Sequence, residues 1–189
     1  DMARVAGIAS RVVRLEPRDP MRYGHELWMD DASGLLLKAN LIGERGETLE
    51  SFAFTQVTIG GALERGALDP RFQGDRVKVQ QVRTTELKGD ELGWVFRNSL
   101  PGFRKLHAVK RQSAADQPEG LHLVFSDGLA SISVFIEPGG PPGEADTLAT
   151  MGPVNVYRRQ VGDHRVVVMG EVPVLAVKRL GDGIERRRK

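Results

Sequence analysis

Four histidines and no cysteine set the limits on chemistry in this 189-residue chain. Without cysteine there are no disulfides, thiol nucleophiles or zinc-thiolate sites. His25, His107, His122 and His164 stand more than four residues apart. His107 and His122 can face each other across neighbouring strands. A pair of histidines still lacks a third ligand, and no carboxylate pair at ligand spacing accompanies them. The glycines form neither GxGxxG after a strand nor GxxxxGK[ST]. Gly139 to Gly143 contains two prolines, which have no N–H to offer a phosphate. There is no GxSxG elbow and no SxxK. Asp30-Asp31 sits at a strand end, and a plain turn accounts for it better than a catalytic pair, whose members need distinct environments. The expectation is a protein with no catalytic residues, no metal and no cofactor, and hence not an enzyme.

Binding chemistry is better represented. Lys105, Tyr157, Arg158 and Arg159 are the candidate partner contacts, because exposed Tyr and Arg favour interfaces. With Arg165, the basic members form a cationic patch only if their strands are neighbours and their parities agree. Exposed charges that guard against edge pairing are the plainer reading. Phe52 and Phe54 share one strand face and are the candidate lipid-facing residues of a curved sheet, although core packing is the commoner use of such a pair. The run Glu185 to Lys189 reads as a solvated helix end whose cations suit the negative pole of the helix dipole. One short run is not a basic face, so no nucleic acid is expected. Trp28 and Trp94 read as packing residues.

The elements that must position these residues are mostly strands. His122 to Glu137 holds two apolar runs meeting at Asp127-Gly128, a strong hairpin signal for a type I′ turn. Ile132, Val134 and Ile136 alternate with Ser131, Ser133 and Phe135, so one face is apolar and needs cover. Pro173 to Lys189 predicts a helix with Val177, Leu180 and Ile184 at i, i+3, i+7, starting on a proline at its first position. That helix is expected to cover the apolar face, with Gly181 and Gly183 weakening its last turns. Upstream, strands over 11–16, 22–30, 35–41 and 48–59 with short turns between them predict an antiparallel meander. A meander without helices leaves a sheet face uncovered, so the remainder of a larger domain is expected to precede it. Further strands are predicted at 94–96, 103–111, 154–161 and 165–172, and 77–87 reads as either a strand or a loop. The fold class is mainly β with α: a meander from a curved sheet, then a small antiparallel sheet packed by a C-terminal helix.

Composition agrees with a folded domain. Hydrophobic residues are 40% and charged residues 28%, which separates the chain from disordered sequences. The net charge of +2 is too small to imply a polyanionic partner. No apolar run approaches the length of a membrane-spanning helix. The start, DMARVAGIAS, has no secretory leader and is not a natural translation start, so it leaves the compartment open.

Particular segments carry a family resemblance. Tyr23 to Gln56, with Asp30/Asp31 to Leu35 and then LKANL, GERGE and LESF, resembles the end of the large domain of RseB/MucB proteins. Trp94, Leu100-Pro101-Gly102-Phe103, Phe125 to Phe135 and Gly170-Glu171-Val172-Pro173 follow in the order of that family's small domain. Two departures are local: Asn98-Ser99 replaces an aromatic before the Leu-Pro turn, and the turn is one residue shorter. The resemblance implies three parts: 1–60 as the last strands of a large domain like the LolA lipoprotein carriers, 61–93 as a linker, and 94–189 as the small domain. It implies a periplasmic negative regulator that binds the periplasmic part of a membrane-spanning anti-sigma factor and shields it from site-one proteolysis. Lipopolysaccharide or lipoprotein acyl chains would release it. A LolA-type lipid carrier without an anti-sigma partner is the alternative. An uncovered sheet also makes a homodimer, formed by edge pairing or swapping, an expectation.

Overall fold

Period-two alternation of apolar and polar residues builds two antiparallel sheets, and a single helix among the described residues closes the second. The computed structural model describes residues 2–68, 83–87, 92–112, 119–140, 143 and 145–187.

The first sheet contains β1 (Met2–Val5), β2 (Ile8–Leu15), β3 (Gly24–Asp30), β4 (Leu36–Ile42) and β5 (Thr48–Ala53), side by side in chain order. It is the predicted meander, curled into a half-barrel. β1 was not foreseen, and β5 stops at Ala53 rather than running to 59. One face carries a polar ladder across four strands. Arg14 donates to Glu26 at 2.8 Å, Asn40 donates to Glu26 at 3.4 Å, and Ser51 donates to Asn40 at 2.8 Å. Val13, Leu27, Ala39 and Phe52 form a paired row across the opposite face.

The second sheet has seven strands. They are β6 (Arg83–Glu86), β8 (Arg104–Gln112), β9 (Gly120–Ser126), β10 (Ser131–Pro138), β11 (Thr147–Met151), β12 (Val154–Val161) and β13 (His164–Gly170). Their spatial order is β11-β12-β13-β10-β9-β8-β6. β6 lies inside the expected linker, 61–93, yet it is an edge strand of this sheet. The stretch also holds a 3-10 turn at Arg65–Leu68, and 69–82 and 88–91 lie outside the described residues. β6 falls within the 77–87 segment, whereas the opposite edge, β11, was not predicted, and it exposes Leu148 and Met151.

The apolar face behaves as its alternation requires. Ile132, Val134 and Ile136 are fully buried, with Leu123, Val166 and Val168 from the flanking strands. The helix α1 (Val174–Asp182) lays Ala176, Val177 and Leu180 onto β12 and β13. A ribbon of β7 (Trp94–Phe96) and β14 (Ile184–Arg186) completes the layer, and Trp94 and Ile184 join the same core.

The helix is therefore shorter than the predicted 173–189. Pro173 is the N-cap rather than the first helical residue, and the helix ends at Asp182. Gly183 then presses against Asn98: a Cβ there would lie 2.5 Å from the Asn98 amide nitrogen. The Arg97 N–H donates to the Gly183 carbonyl at 2.8 Å, and the chain continues as a strand. Arg186 is thus a strand residue paired with Asp163 at 2.8 Å, not part of a frayed helical tail.

The hairpin sits where predicted, but its turn differs. Ser126 and Ser131 are the last pair, and four residues lie between them. Gly128 has φ +104°, while Asp127 does not have positive φ, so the turn is not type I′. Asp127 instead caps the loop with its side chain: Oδ1 accepts the N–H groups of Leu129 and Ala130 at 3.0 and 2.9 Å.

Candidate functional site

The most densely bonded contact between the two sheets is the β2–β3 turn, and it inserts three consecutive side chains into the second unit. Asp19 holds the turn by accepting the Met21 N–H at 2.9 Å. Met21 is only 7% exposed and belongs to the core under α1. Arg22 is a three-way clamp. Its Nη1 donates to Asp19 at 2.5 Å and its Nε to Asp127 Oδ2 at 2.6 Å, and its Nη2 donates to the Pro101 carbonyl. Its guanidinium lies over the Phe103 ring at 5.0 Å. Gly102, at φ +78°, lets the arginine approach, since a Cβ would fall 2.7 Å from Nη2. Tyr23 accepts a 3.0 Å hydrogen bond from Asn155, a buried amide that also donates to the Val172 carbonyl and accepts from Thr150.

Charge follows from this geometry. Burial alone would raise the Asp127 carboxyl, but the Leu129 and Ala130 amides and the Arg22 guanidinium together hold it below the usual aspartate range. Asp127 is therefore an anion shared between its own loop and the other unit.

A cleft of about 460 Å³ opens beside this junction. His25 and Leu41 of the first sheet form one side, and Leu129 of the hairpin loop, 60% exposed, projects at its rim. Phe135, Val154 and Met169 supply an apolar floor from the sheet face that α1 does not cover. Farther along that face His122 stacks on Phe135, with centroids 4.3 Å apart and planes 8° apart, and its Nε2 lies 3.1 Å from Ser133 Oγ. His107 meets His122 edge-on at 6.1 Å, as the sequence allowed. Burial lowers the His122 pKa, and the His107 and Arg111 charges lower it further. Among the described residues no group of three or more His, Asp or Glu side chains is placed to hold a metal ion.

The structure does not bring the four candidate contact residues together. Tyr157 is 3% exposed rather than on the surface: its hydroxyl lies between Asp146 at 2.7 Å and Asp182 at 2.6 Å, under the helix. Arg159 lies on the same face and donates to the Gly181 carbonyl at 3.1 Å. Arg158 points to the opposite, open face and is exposed. Lys105 is exposed on β8, four strands away from β12. No common cationic patch exists among them. Phe52 and Phe54 do meet, edge to face at 5.2 Å, and are 48% and 36% exposed.

Sequence reasoning missed Met21, Arg22, Tyr23 and Asn155. Their partners lie up to 132 residues away, beyond any local pattern. A usable signal was present in the segments carrying the resemblance. Pro101 to Phe103, Asp127 to Ala130 and Glu171 to Val172 all converge on this turn or the cleft beside it.

Residues 88–185 match the MucB/RseB C-terminal domain, and residues 1–72 match the MucB/RseB N-terminal domain. The sigma factor AlgU regulatory protein MucB of Pseudomonas aeruginosa is 34% identical over 183 residues, covering 94% of this chain and 56% of that protein. The sigma-E factor regulatory protein RseB of Escherichia coli K12 is 25% identical over 192 residues, covering 96% of this chain and again 56% of the relative. The chain thus spans about half the length of these curated relatives. Among solved structures, MucB in complex with MucA(peri) superposes with a TM-score of 0.81 at 33% identity, covering 100% of this chain and 66% of that one. A structure of MucB alone gives 0.67 at 32% identity, covering 98% and 61%.

Proposed function

The chain belongs to the MucB/RseB family, and we propose that it acts as a periplasmic regulatory binding protein whose cleft between the two sheets receives the periplasmic segment of an anti-sigma factor. The observation that carries this reading is the cleft itself. It has an apolar floor of Phe135, Val154 and Met169 and a loop wall held by Asp127, and it suits an extended or helical peptide with apolar side chains. The relatives support the choice of partner, since their solved complexes pair MucB with MucA. Arg158, exposed on the open face, and Lys105, exposed on β8 in the row of Phe125, remain candidate partner contacts outside the cleft, while Tyr157 and Arg159 act through the helix they support. Bound in this way, the protein shields the anti-sigma factor from site-one cleavage by occlusion. Lipopolysaccharide or lipoprotein acyl chains release it by binding the free form better.

Calorimetric titration with the periplasmic part of Pseudomonas aeruginosa MucA tests the reading. Saturable binding is expected, with at least a tenfold loss of affinity in Met169→Asp, which places a charge on the cleft floor. No binding by the folded wild-type chain overturns the proposal. The LolA-type alternative draws on the exposed Phe52–Phe54 pair. It predicts acyl-chain binding that Phe52→Asp abolishes, with no protein partner.

A further inference from the structure

Arg22 belongs to the first sheet by sequence, but two of its three hydrogen-bond partners, Asp127 and Pro101, belong to the second unit. Asp19 holds Nη1, one terminal nitrogen of the guanidinium, from within the same turn, so the arginine is tied to its own sheet as well as to the second unit. Arginine suits this task because its planar fork can engage three acceptors in fixed directions, where an ammonium offers a point charge. The two oxygens of Asp127 divide the work. Oδ2 takes Arg22, while Oδ1 holds the Leu129 and Ala130 amides that shape one wall of the cleft. One carboxylate therefore ties the form of the cleft wall to the position of the first sheet.

We propose that Arg22 is a positioning residue for the cleft, and that the Arg22–Asp127 pair couples the angle between the sheets to the shape of the partner site. Resting on the functional reading above, this names how that site is regulated. With the pair closed, Leu129 and the β10 floor stand in fixed relation to His25 and Leu41, and a partner meets a pre-formed groove. With the pair open, the contacts left between the sheets among the described residues include Met21, the Arg22–Pro101 bond and the Tyr23–Asn155 bond, and the groove loses its set width. A ligand on the first sheet that favours the open arrangement weakens partner binding, and by linkage the partner weakens that ligand equally.

The lack of cysteine makes the test direct. Ala9→Cys and Leu175→Cys place spin labels on exposed positions of the two units, and pulsed electron–electron resonance reads the distance between them. Two variants probe the pair. Arg22→Ala removes the clamp. Asp127→Asn keeps an oxygen for the loop amides but removes the anion facing Arg22, and it stands in should Arg22→Ala not fold. Circular dichroism checks that each unit stays intact.

The wild type is expected to give a narrow distance distribution. Both variants should broaden it and lower affinity for the Pseudomonas aeruginosa MucA periplasmic segment at least tenfold, and Arg22→Lys should restore neither fully. A distribution unchanged from wild type in the variants overturns the proposal. So does a broadened distribution with undiminished affinity, because the cleft would then not depend on the pair. A wild-type chain that does not bind the segment overturns the functional reading instead, and the distance measurement alone then decides whether Arg22 sets the angle.

Discussion

Gly181 has no room for a side chain: a Cβ there would lie 2.5 Å from the Tyr157 ring. The glycine lets α1 sit close enough for Asp182 to reach the Tyr157 hydroxyl, and for the Lys178 ammonium to stand 5.1 Å from the ring. Asp182 is held below the usual aspartate range: burial acts against this, but the Tyr157 hydroxyl and the Lys178 and Arg159 cations outweigh it. Gly181→Ala should therefore destabilise the fold by about 1–3 kcal/mol, the usual cost of overpacking, read as a lower urea midpoint at unchanged m-value. This is also where residue-level reading of the sequence had least power. A tyrosine followed by two arginines on a strand looks like an interface. Whether it faces solvent or a helix is set by parity against a partner layer, and that layer begins at Val174, well downstream of Tyr157.

At the scale of elements, periodicity carried most of the prediction, because β10 and α1 each bury one face and a buried face fixes its own spacing. Two kinds of information were not local. The helix stops at Asp182 because Asn98 and Arg97 offer Gly183 a strand-like continuation, and nothing in residues 173–189 announces that. The hairpin loop is four residues long because the Asp127 carboxylate can hold two amides, an option that competes with the positive-φ turn its Asp-Gly suggested. The open face of the seven-stranded sheet yields a pH prediction. His122 has its pKa lowered below 6.5 by burial and by the neighbouring His107 and Arg111 charges. A base depressed in the folded state contributes full stability above its unfolded value, and the unfolded chain gains the proton first as pH falls. Stability should hold above about pH 6.5 and decline as pH drops through the folded value. His122→Phe should flatten that part of the profile, measured as melting temperature against pH.

Across the whole molecule, the first sheet exposes much of its surface, and its firmest contacts with a core run through Met21, Arg22 and Tyr23. Acid should loosen this junction before it melts the second unit's apolar core. The Asp127 carboxyl, depressed from its ordinary 3.8, stabilises fully above that value and loses its contribution as pH falls through the folded one. During acid titration the label-to-label distance should change first, and the intrinsic fluorescence of core Trp94 only later. The two sheets were legible from strand periodicity and turn residues, but the angle between them was not, because it is set by contacts 79 to 132 residues apart. The same separations govern how the chain comes together in time. A polypeptide released from its N-terminus presents Met21, Arg22 and Tyr23 long before Pro101, Asp127 and Asn155 exist. For that interval the turn is a sticky, unpaired end on a half-finished sheet. Closing so long a loop costs only slightly more entropy than closing a short one, so the final state loses little, but the pathway acquires a late docking step. The nascent first half is then the stage at which holdase chaperones, proteases or a second nascent chain have their best opportunity to intervene.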